Sequence, residues 1–351
     1  MKIIRPLLYL ILILLGAFLL FLFYATIDDF KPEAMSVQSI EGDAEILPDS
    51  LQFKLLIWNI GYAGLDASMD FFYDGGKQMR PSREGVHSNL HGIQNTLAPY
   101  RDYHFILLQE VDQDSKRSYN VNQYEAIKDQ FAGYTCHFGT NYDVGFVPIP
   151  VAEPMGKVES GLMTLSRECP LKVERHSFPG NYSWPVKLFM LDRCFLLNRY
   201  QLSNQKELLI INTHNSAYDD GSLRAQQMSY LSDFLLAEYE KGNYLIVGGD
   251  WNQTPFGFEP ELPFHLFDTE NLSYVEKDYP AAGWHWAYDQ EMPTNRRVAI
   301  PYDRSASLTT VIDYYLASPN VDLSEVKTLD LGFQFSDHQP VQVQASLSLN
   351  P

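Results

Sequence analysis

Four apolar runs in this chain each stop at a side chain able to do chemistry. Phe53 to Trp58 runs into Asn59, and His104 to Gln109 into Glu110. Leu208 to Thr213 runs into His214, and Tyr244 to Gly249 into Asp250, with Asn252 close behind. Apolar runs of this length read as buried strands. Between the first two lies Ser82 to Tyr100, with Val86, Leu90, Ile93 and Leu97 at helical spacing, Ser82 as N-cap and Pro99 at the end. Ser222 to Lys241 is a second helix, with Leu223, Leu231, Phe234 and Leu235 on one face. Val311 to Ala317 and the alternating Val341 to Leu347 read as later strands. Strands alternating with helices predict an α/β fold whose sheet faces are covered by helices.

In an open α/β sheet, reactive groups collect off the carboxyl ends of the strands. Each polar terminus alone has an ordinary reading. Asp-x-Asn after a strand is often a turn, because both residues bond their own backbone. A lone Glu is solvated and a lone His is a bonded core residue. Their repetition at successive strand ends predicts one site built from several strands. Gly248 and Gly249 allow another backbone or a substrate to approach Asp250. They are not a nucleotide loop, since the Lys and Ser or Thr of that motif are missing. No His-Glu-x-x-His array occurs, so a zinc protease is unsupported. His87, His91, His104, His137, His176, His265 and His285 are assigned structural roles.

The charge limits the partners. Lys plus Arg total 26 and Asp plus Glu total 44, a formal net charge of −18. Phosphate neutralisation dominates the binding of long nucleic acids, so a diffuse negative surface disfavours them. A small phosphorylated substrate held in a local basic pocket or by a metal stays compatible. No sequence feature marks an obligate protein partner. Cys136, Cys169 and Cys194 form no Cys-x-x-Cys pair and are expected to be buried free thiols, with Cys169–Cys194 pairing as the alternative in an exported chain.

Lys2 and Arg5 precede an uncharged run from Leu7 to Ile27, about the length that spans a bilayer as a helix. Acidic residues follow, so the amino end is expected in the cytoplasm and the body outside it. The run is longer than a secretory signal's apolar region and lacks a clean cleavage site, which predicts an uncleaved anchor in residues 1–30; cleavage near Ala25 would give a secreted form. Residues 31–50 are polar and acidic, with Pro32 and Pro48, and read as a linker.

Taken in order, Trp58-Asn59, Leu108-Gln-Glu110, Asn212-Thr-His214, Gly249-Asp-Trp-Asn252, Ile312-Asp-Tyr314 and Ser336-Asp-His338 resemble the signature of the endonuclease/exonuclease/phosphatase superfamily, which includes deoxyribonuclease I-like enzymes. The resemblance covers roughly Leu51 to Leu347. It implies a single domain at 51–351 with a four-layer α/β sandwich: two packed mixed β-sheets flanked by helices. It implies hydrolysis of phosphate esters with Mg²⁺, or Mn²⁺ as an alternative. Glu110 would be the main ligand, a hard oxygen donor suited to Mg²⁺, with Asn59 and Asp337 in support. Asp313 would orient His338, and His338 or Asp250 would act as general base. Asn252 would donate to a phosphate oxygen. His214 would stabilise the phosphate or protonate the leaving group.

Three long stretches, Tyr62 to Arg80, Phe146 to Ser160 and Phe256 to Thr310, are expected to be irregular and to shape the substrate pocket. Arg117, Tyr119, Trp284, Arg296 and Arg297 are candidate substrate contacts, because Arg suits phosphate geometry. The competing reading has the aromatic residues pack the loop and the arginines pair at the surface. The expected substrate is a phosphorylated small molecule or a lipid head group, with a nuclease activity or a non-catalytic binding role as the alternatives.

Overall fold

The structure is a computed structural model and describes residues 4–40, 42–217, 219–259, 266–268 and 273–348. Lys2 and His265 lie outside the described residues.

The chain opens with α1 (Ile4–Asp28), then β1 (Met35–Gln38), β2 (Ile46–Leu47) and β3 (Gln52–Asn59). Next come α2 (Arg83–Leu97), β4 (Phe105–Asp112), α3 (Gln123–Lys128), β5 (Thr135–Val147) and β6 (Gly156–Ser166). β7 (Lys172–Ser177), β8 (Cys194–Leu202) and β9 (Glu207–His214) follow, then α4 (Ser222–Glu240) and β10 (Tyr244–Asp250). Four short strands, β11 (Leu266–Phe267), β12 (His285–Ala287), β13 (Asn295–Arg296) and β14 (Leu308–Thr310), lead to β15 (Asp313–Ala317), β16 (Val321–Thr328) and β17 (Val341–Leu347).

Two large mixed sheets form from these, and β11-β14-β13 makes a small third one. One runs β16-β17-β3-β4-β6-β5, the other β1-β7-β8-β9-β10-β15-β12 with β2 paired to β8. Strand alternation sends Leu55, Ile57, Phe105 and Leu107 inward, against Leu208, Ile210, Ile246 and Tyr315 of the other sheet. The intervening Leu56, Trp58, Ile106 and Leu108 point outward, under Val86, Leu90, Ile93 and Leu97 of α2. On the far side Leu209, Ile211, Leu245 and Val247 meet Met228, Leu231 and Leu235 of α4. The central strands are buried on both faces, which is why they read as unbroken apolar runs. The result is the expected four-layer sandwich.

β3 pairs parallel with β4, and β9 parallel with β10. The register sets Asn59 opposite Gln109 and His214 opposite Asp250. All four carboxyl ends therefore open at one edge of the sandwich. Beneath them Gln109 Nε2 donates to Asn212 Oδ1 across the two sheets at 2.7 Å, and Asn212 Nδ2 donates to the carbonyls of Leu108 and Met163. Helix α2 has the predicted cap, with Gly85 N donating to Ser82 Oγ at 3.1 Å. The stretch from Phe146 to Ser160 is only partly irregular. It belongs to the β5–β6 hairpin, and only 148–155 forms its loop. All three cysteines are free, and Cys136 is only half-buried.

Residues 31–50 are not a free linker. β1 lies antiparallel on β7, pairing Met35 with His176 and Gln38 with Val173, and β2 adds parallel to β8. Acidic composition suggested solvation, but an exposed edge of β7 would leave backbone groups unpaired, and β1 satisfies them. Leu47 also enters the inter-sheet core at 4% exposed. A chain beginning at Leu51 is therefore expected to be less stable than one beginning at Glu33 by about 2–4 kcal/mol, at roughly 1 kcal/mol per lost sheet hydrogen bond. Thermal unfolding of the two chains checks this, and equal midpoints would show that the two strands add nothing.

Candidate active site

Glu110 sits within β4 at φ +55°, where the β4–β6 register shifts between Leu108 and Val111. A non-glycine residue in this left-handed region is uncommon, and such strain concentrates at functional sites. Here the bulge turns the carboxylate into the cleft. Asn59 Nδ2 donates to Glu110 Oε1 at 3.3 Å and to Asp250 Oδ2 at 3.0 Å, while its Oδ1 accepts from Gly61 N. Asp250 Oδ1 accepts from Asn252 N at 2.9 Å, and Asn252 Nδ2 donates to the carbonyl of Asn215. Gly249, at φ +146°, allows the close strand approach: a Cβ there would lie 2.1 Å from the Thr213 carbonyl oxygen.

The closing loop is locked from several directions. Ser336 Oγ donates to the Asn59 carbonyl at 2.8 Å, and Trp58 Nε1 donates to the His338 carbonyl at 3.0 Å. His338 Nδ1 lies 2.8 Å from Asp313 Oδ2, and Asn295 Nδ2 lies 3.0 Å from Nε2. Burial opposes a charge on this ring, but Asp313, Asp337 and Asp250 outweigh it and hold His338 well above the ordinary imidazole value. His214 goes the other way. Burial, with the charges of Arg193 and His338 nearby, pushes it well below, so its ring is neutral. His214 Nε2 lies 3.4 Å from Asp250 Oδ2 and 3.9 Å from Glu110 Oε1.

The carboxylates are short of positive charge. Burial pushes Asp250 up to about 6, with His338 opposing and Asp313 adding to the rise. Burial pushes Asp337 up to about 7, with His338 opposing and Glu110 adding. Hard oxygen donors that repel one another in a buried cleft fit a divalent cation, which would replace the protons they otherwise hold. Among the described residues the tightest cluster of candidate donors is Asp250, Asp313 and His338. In that trio, however, Nδ1 of the imidazole is already engaged by Asp313. Glu110 and Asp337 leave carboxylate oxygens free to face an ion, and both line the cleft.

The candidate substrate residues divide. Arg117 lines the cleft but gives its donors to Asp112, Nε to Oδ2 at 3.2 Å and Nη2 to Oδ1 at 2.9 Å, and stacks 3.7 Å over the Tyr62 ring. It braces the wall. Arg296 is 1% exposed and donates to the carbonyls of Asp66 and Ile300. Arg297 lines the cleft 4.0 Å from Asp268 and is the more accessible of the pair. Two expectations are corrected. Tyr119 turns away from the cleft, its hydroxyl donating to the Pro81 carbonyl beneath Arg80 and Arg83. Trp284 packs edge-on against Tyr239 in the core beside α4, and Trp286 likewise against Trp251. Rings of this size gain more by burial between α4 and the sheet than by lining a wet cleft.

Two residues missed by sequence reasoning enter the site. Asn295 touches the His338 ring. Arg193 lines the cleft, and its Nη1 is buried without a hydrogen-bond partner among the described residues. Burial pulls Arg193 below its ordinary value, with Glu110 and Asp250 pulling back. A guanidinium with a buried, unused donor facing a cleft calls for an anion. Nothing in the sequence marked it, because it stands just before an ordinary apolar run.

The cleft has a volume of about 600 Å³, a size that holds one small ligand or head group. Glu110, His214, Asp250, Asn252, Asp337 and His338 all line it.

The sandwich is similar in fold to an endonuclease/exonuclease/phosphatase from Beutenbergia cavernae, with 16% identity, 85% of this chain and 72% of that one covered, and a TM-score of 0.55. A counterpart from Bacteroides vulgatus shares 15% identity over 85% of this chain and 100% of its own, with a TM-score of 0.54. ANGEL2, a 2′,3′-cyclic phosphatase, in complex with adenosine-2′,3′-vanadate, shares 15% over 89% and 100%, with a TM-score of 0.56. Among curated proteins no sequence matches the chain. Fold and site together define a metal-dependent hydrolase of phosphoester bonds. The chain belongs to the endonuclease/exonuclease/phosphatase family, whose model matches residues 56–338. That span contains every strand-end group from Asn59 to His338.

Proposed function

We propose that the chain is a Mg²⁺-dependent hydrolase of a small or lipid-linked phosphate ester, anchored by α1 with its body outside the cytoplasm. The observation that carries this is the cleft's charge pattern: acids, most of them buried, line the same space as Arg193, which has a donor without a partner among the described residues. Glu110 and Asp337 would hold the cation, with Asn59 positioning Glu110. Bound there, the cation supplies positive charge that offsets the phosphate and its transition state.

The remaining roles follow from the protonation states. A general base works best with a pKa near the working pH. Asp250, pushed up to about 6, suits that role and takes the proton of the attacking water at Oδ2. His338, fixed by Asp313 and held cationic, binds a phosphate oxygen. His214, held neutral, donates a hydrogen bond from Nε2, and Asn252 borders the same oxygens. Helix α1, long and apolar enough to cross a membrane, supports a membrane location. The acids after it and Arg5 near its start support an amino end in the cytoplasm.

The test uses the full chain in detergent with Mg²⁺. It is assayed against p-nitrophenyl phosphate, bis(p-nitrophenyl) phosphate, vesicles of sphingomyelin or phosphatidylcholine, and plasmid DNA. Metal-dependent release from a small ester or a lipid is the expected result, with slow cutting of DNA. Rapid DNA cutting at physiological salt would replace this reading with a nuclease.

A further inference from the structure

Helix α1 does not stand apart from the body. Phe21 stacks on Phe189 at 5.7 Å and meets Phe146 edge-on at 6.0 Å. Trp184 Nε1 donates to Thr26 Oγ1 at 3.3 Å, and Lys187 pairs with Asp29 at 3.7 Å. Ser177 then binds the carbonyls of Glu33 and Ala34. The chain is therefore held to the body at points from Phe21 to the start of β1.

These contacts set a depth. Phe21 lies six residues before Ile27, the end of the apolar run, or about 9 Å down the helix at ~1.5 Å per residue. That is within the ~5–10 Å to which interfacial apolar side chains sink into the head-group and acyl-chain boundary. A body that grips the helix there cannot stand clear of the bilayer. Around the grip, apolar side chains face outward: Ile149 at 39% exposed, Val151 at 86%, Trp184 at 55% and Val186 at 48%. Trp favours the membrane–water boundary.

The same two segments wall the cleft. Asn181, Tyr182, Met190, Leu191 and Arg193 line it on either side of Trp184 and Val186, and Met155 lines it at the foot of the loop bearing Ile149 and Val151. Tyr182 is two residues from Trp184, at most about 7 Å along the chain. Asp28, Asp29, Asp143 and Asp192 lie on this side of the molecule and would repel an anionic leaflet, so apolar insertion into a zwitterionic surface fits the charge pattern.

We propose that Ile149, Val151, Trp184 and Val186 seat in the head-group boundary of the bilayer crossed by α1, holding the mouth of the cleft against the lipid. The substrate class is then a phospholipid head group taken from the surface. This rests on the phosphoester-hydrolase reading above, and two separate readouts keep the ideas apart.

The first readout needs no turnover. Full-length protein is placed in vesicles of phosphatidylcholine brominated on the acyl chains near the head group. Trp184 is far more exposed than Trp58, Trp251 or Trp284, and α1 contains no Trp. Quenching of wild-type emission is expected, largely absent in Trp184→Phe and unchanged between low and high salt. Equal quenching in both proteins would overturn the docking, as would an unquenched Trp184 in particles holding two copies, which would make the patch a self-interface.

The second readout compares Val151→Glu/Val186→Glu with wild type. Hydrolysis of vesicle-borne phosphatidylcholine or sphingomyelin is expected to fall at least tenfold, with p-nitrophenyl esters cleaved as before. Cleavage of the soluble esters without cleavage of any vesicle lipid would overturn the substrate class. No metal-dependent cleavage of any ester, with Trp184 still quenched, would remove the hydrolase reading and leave the docking in place.

Discussion

Glu110→Ala is expected to lose all divalent-cation-dependent turnover while keeping its fold. The carboxylate sits on a strand bulge at φ +55° with no ladder partner to lose. Ala tolerates that backbone no better and no worse than Glu, so the strain is unchanged. Removing the charge also relieves its repulsion of Asp337. The cation-free variant should therefore melt no lower than wild type. The difference appears on adding Mg²⁺. At a concentration one hundred times the dissociation constant, wild type should melt about 5 °C higher, and the variant should not move.

The pH dependence of that rise has a definite sign. Asp250 and Asp337 are raised to about 6 and about 7, above their unfolded values, so the cation-free native state binds more protons than the unfolded chain across that window. Its stability falls as pH rises through it. The cation substitutes for those protons, so Mg²⁺ should stabilise more at pH 8 than at pH 5.5. Wild-type activity of Glu110→Ala in excess chelator would remove the metal assignment.

Asp250→Asn and His338→Ala should each lower turnover by about 10²–10⁴-fold, the scale of a general base or an equivalent proton-handling group. The two are separated by their pH profiles. With Asp250 as the base, wild-type kcat/KM rises with pH and levels off at or below about 6. His338→Ala should keep that limb, and Asp250→Asn should lose it. The opposite pattern would assign the base to His338. Asp313→Asn offers an intermediate check, since it leaves the imidazole in place but removes the carboxylate 2.8 Å from Nδ1.

What could be read in advance follows from periodicity. The central strands are apolar on both faces, so their abrupt polar ends stood out, and the structure gathers Asn59, Glu110, His214, Asp250, Asn252, Asp313, Asp337 and His338 at one edge. β5, β7 and β8 carry mixed faces and frequent polar residues, so no run announced them. Arg193 was invisible for a related reason: one Arg before a strand looks like any surface Arg until burial shows its unused donor. Trp284 and Tyr119 misled in the other direction. Aromatic content does not distinguish a ring that packs a loop from one that greets a ligand, and here tertiary packing took both. The acidic stretch before Leu51 hid two short strands, because edge pairing depends on a partner far away in sequence.

Those two strands also set how far the body can roam. A free tether of twenty residues would let a domain wander roughly 25 Å from its anchor. With Met35–Gln38 laid along β7, only residues 29–34 separate helix from sheet, and Asp29, Glu33 and Ala34 are themselves tied down. With α1 across a bilayer, as proposed, the cleft would work at one fixed height. On the membrane anchoring proposed above, its range would be that of a stylus held to a surface, and a substrate would reach that layer by lateral diffusion.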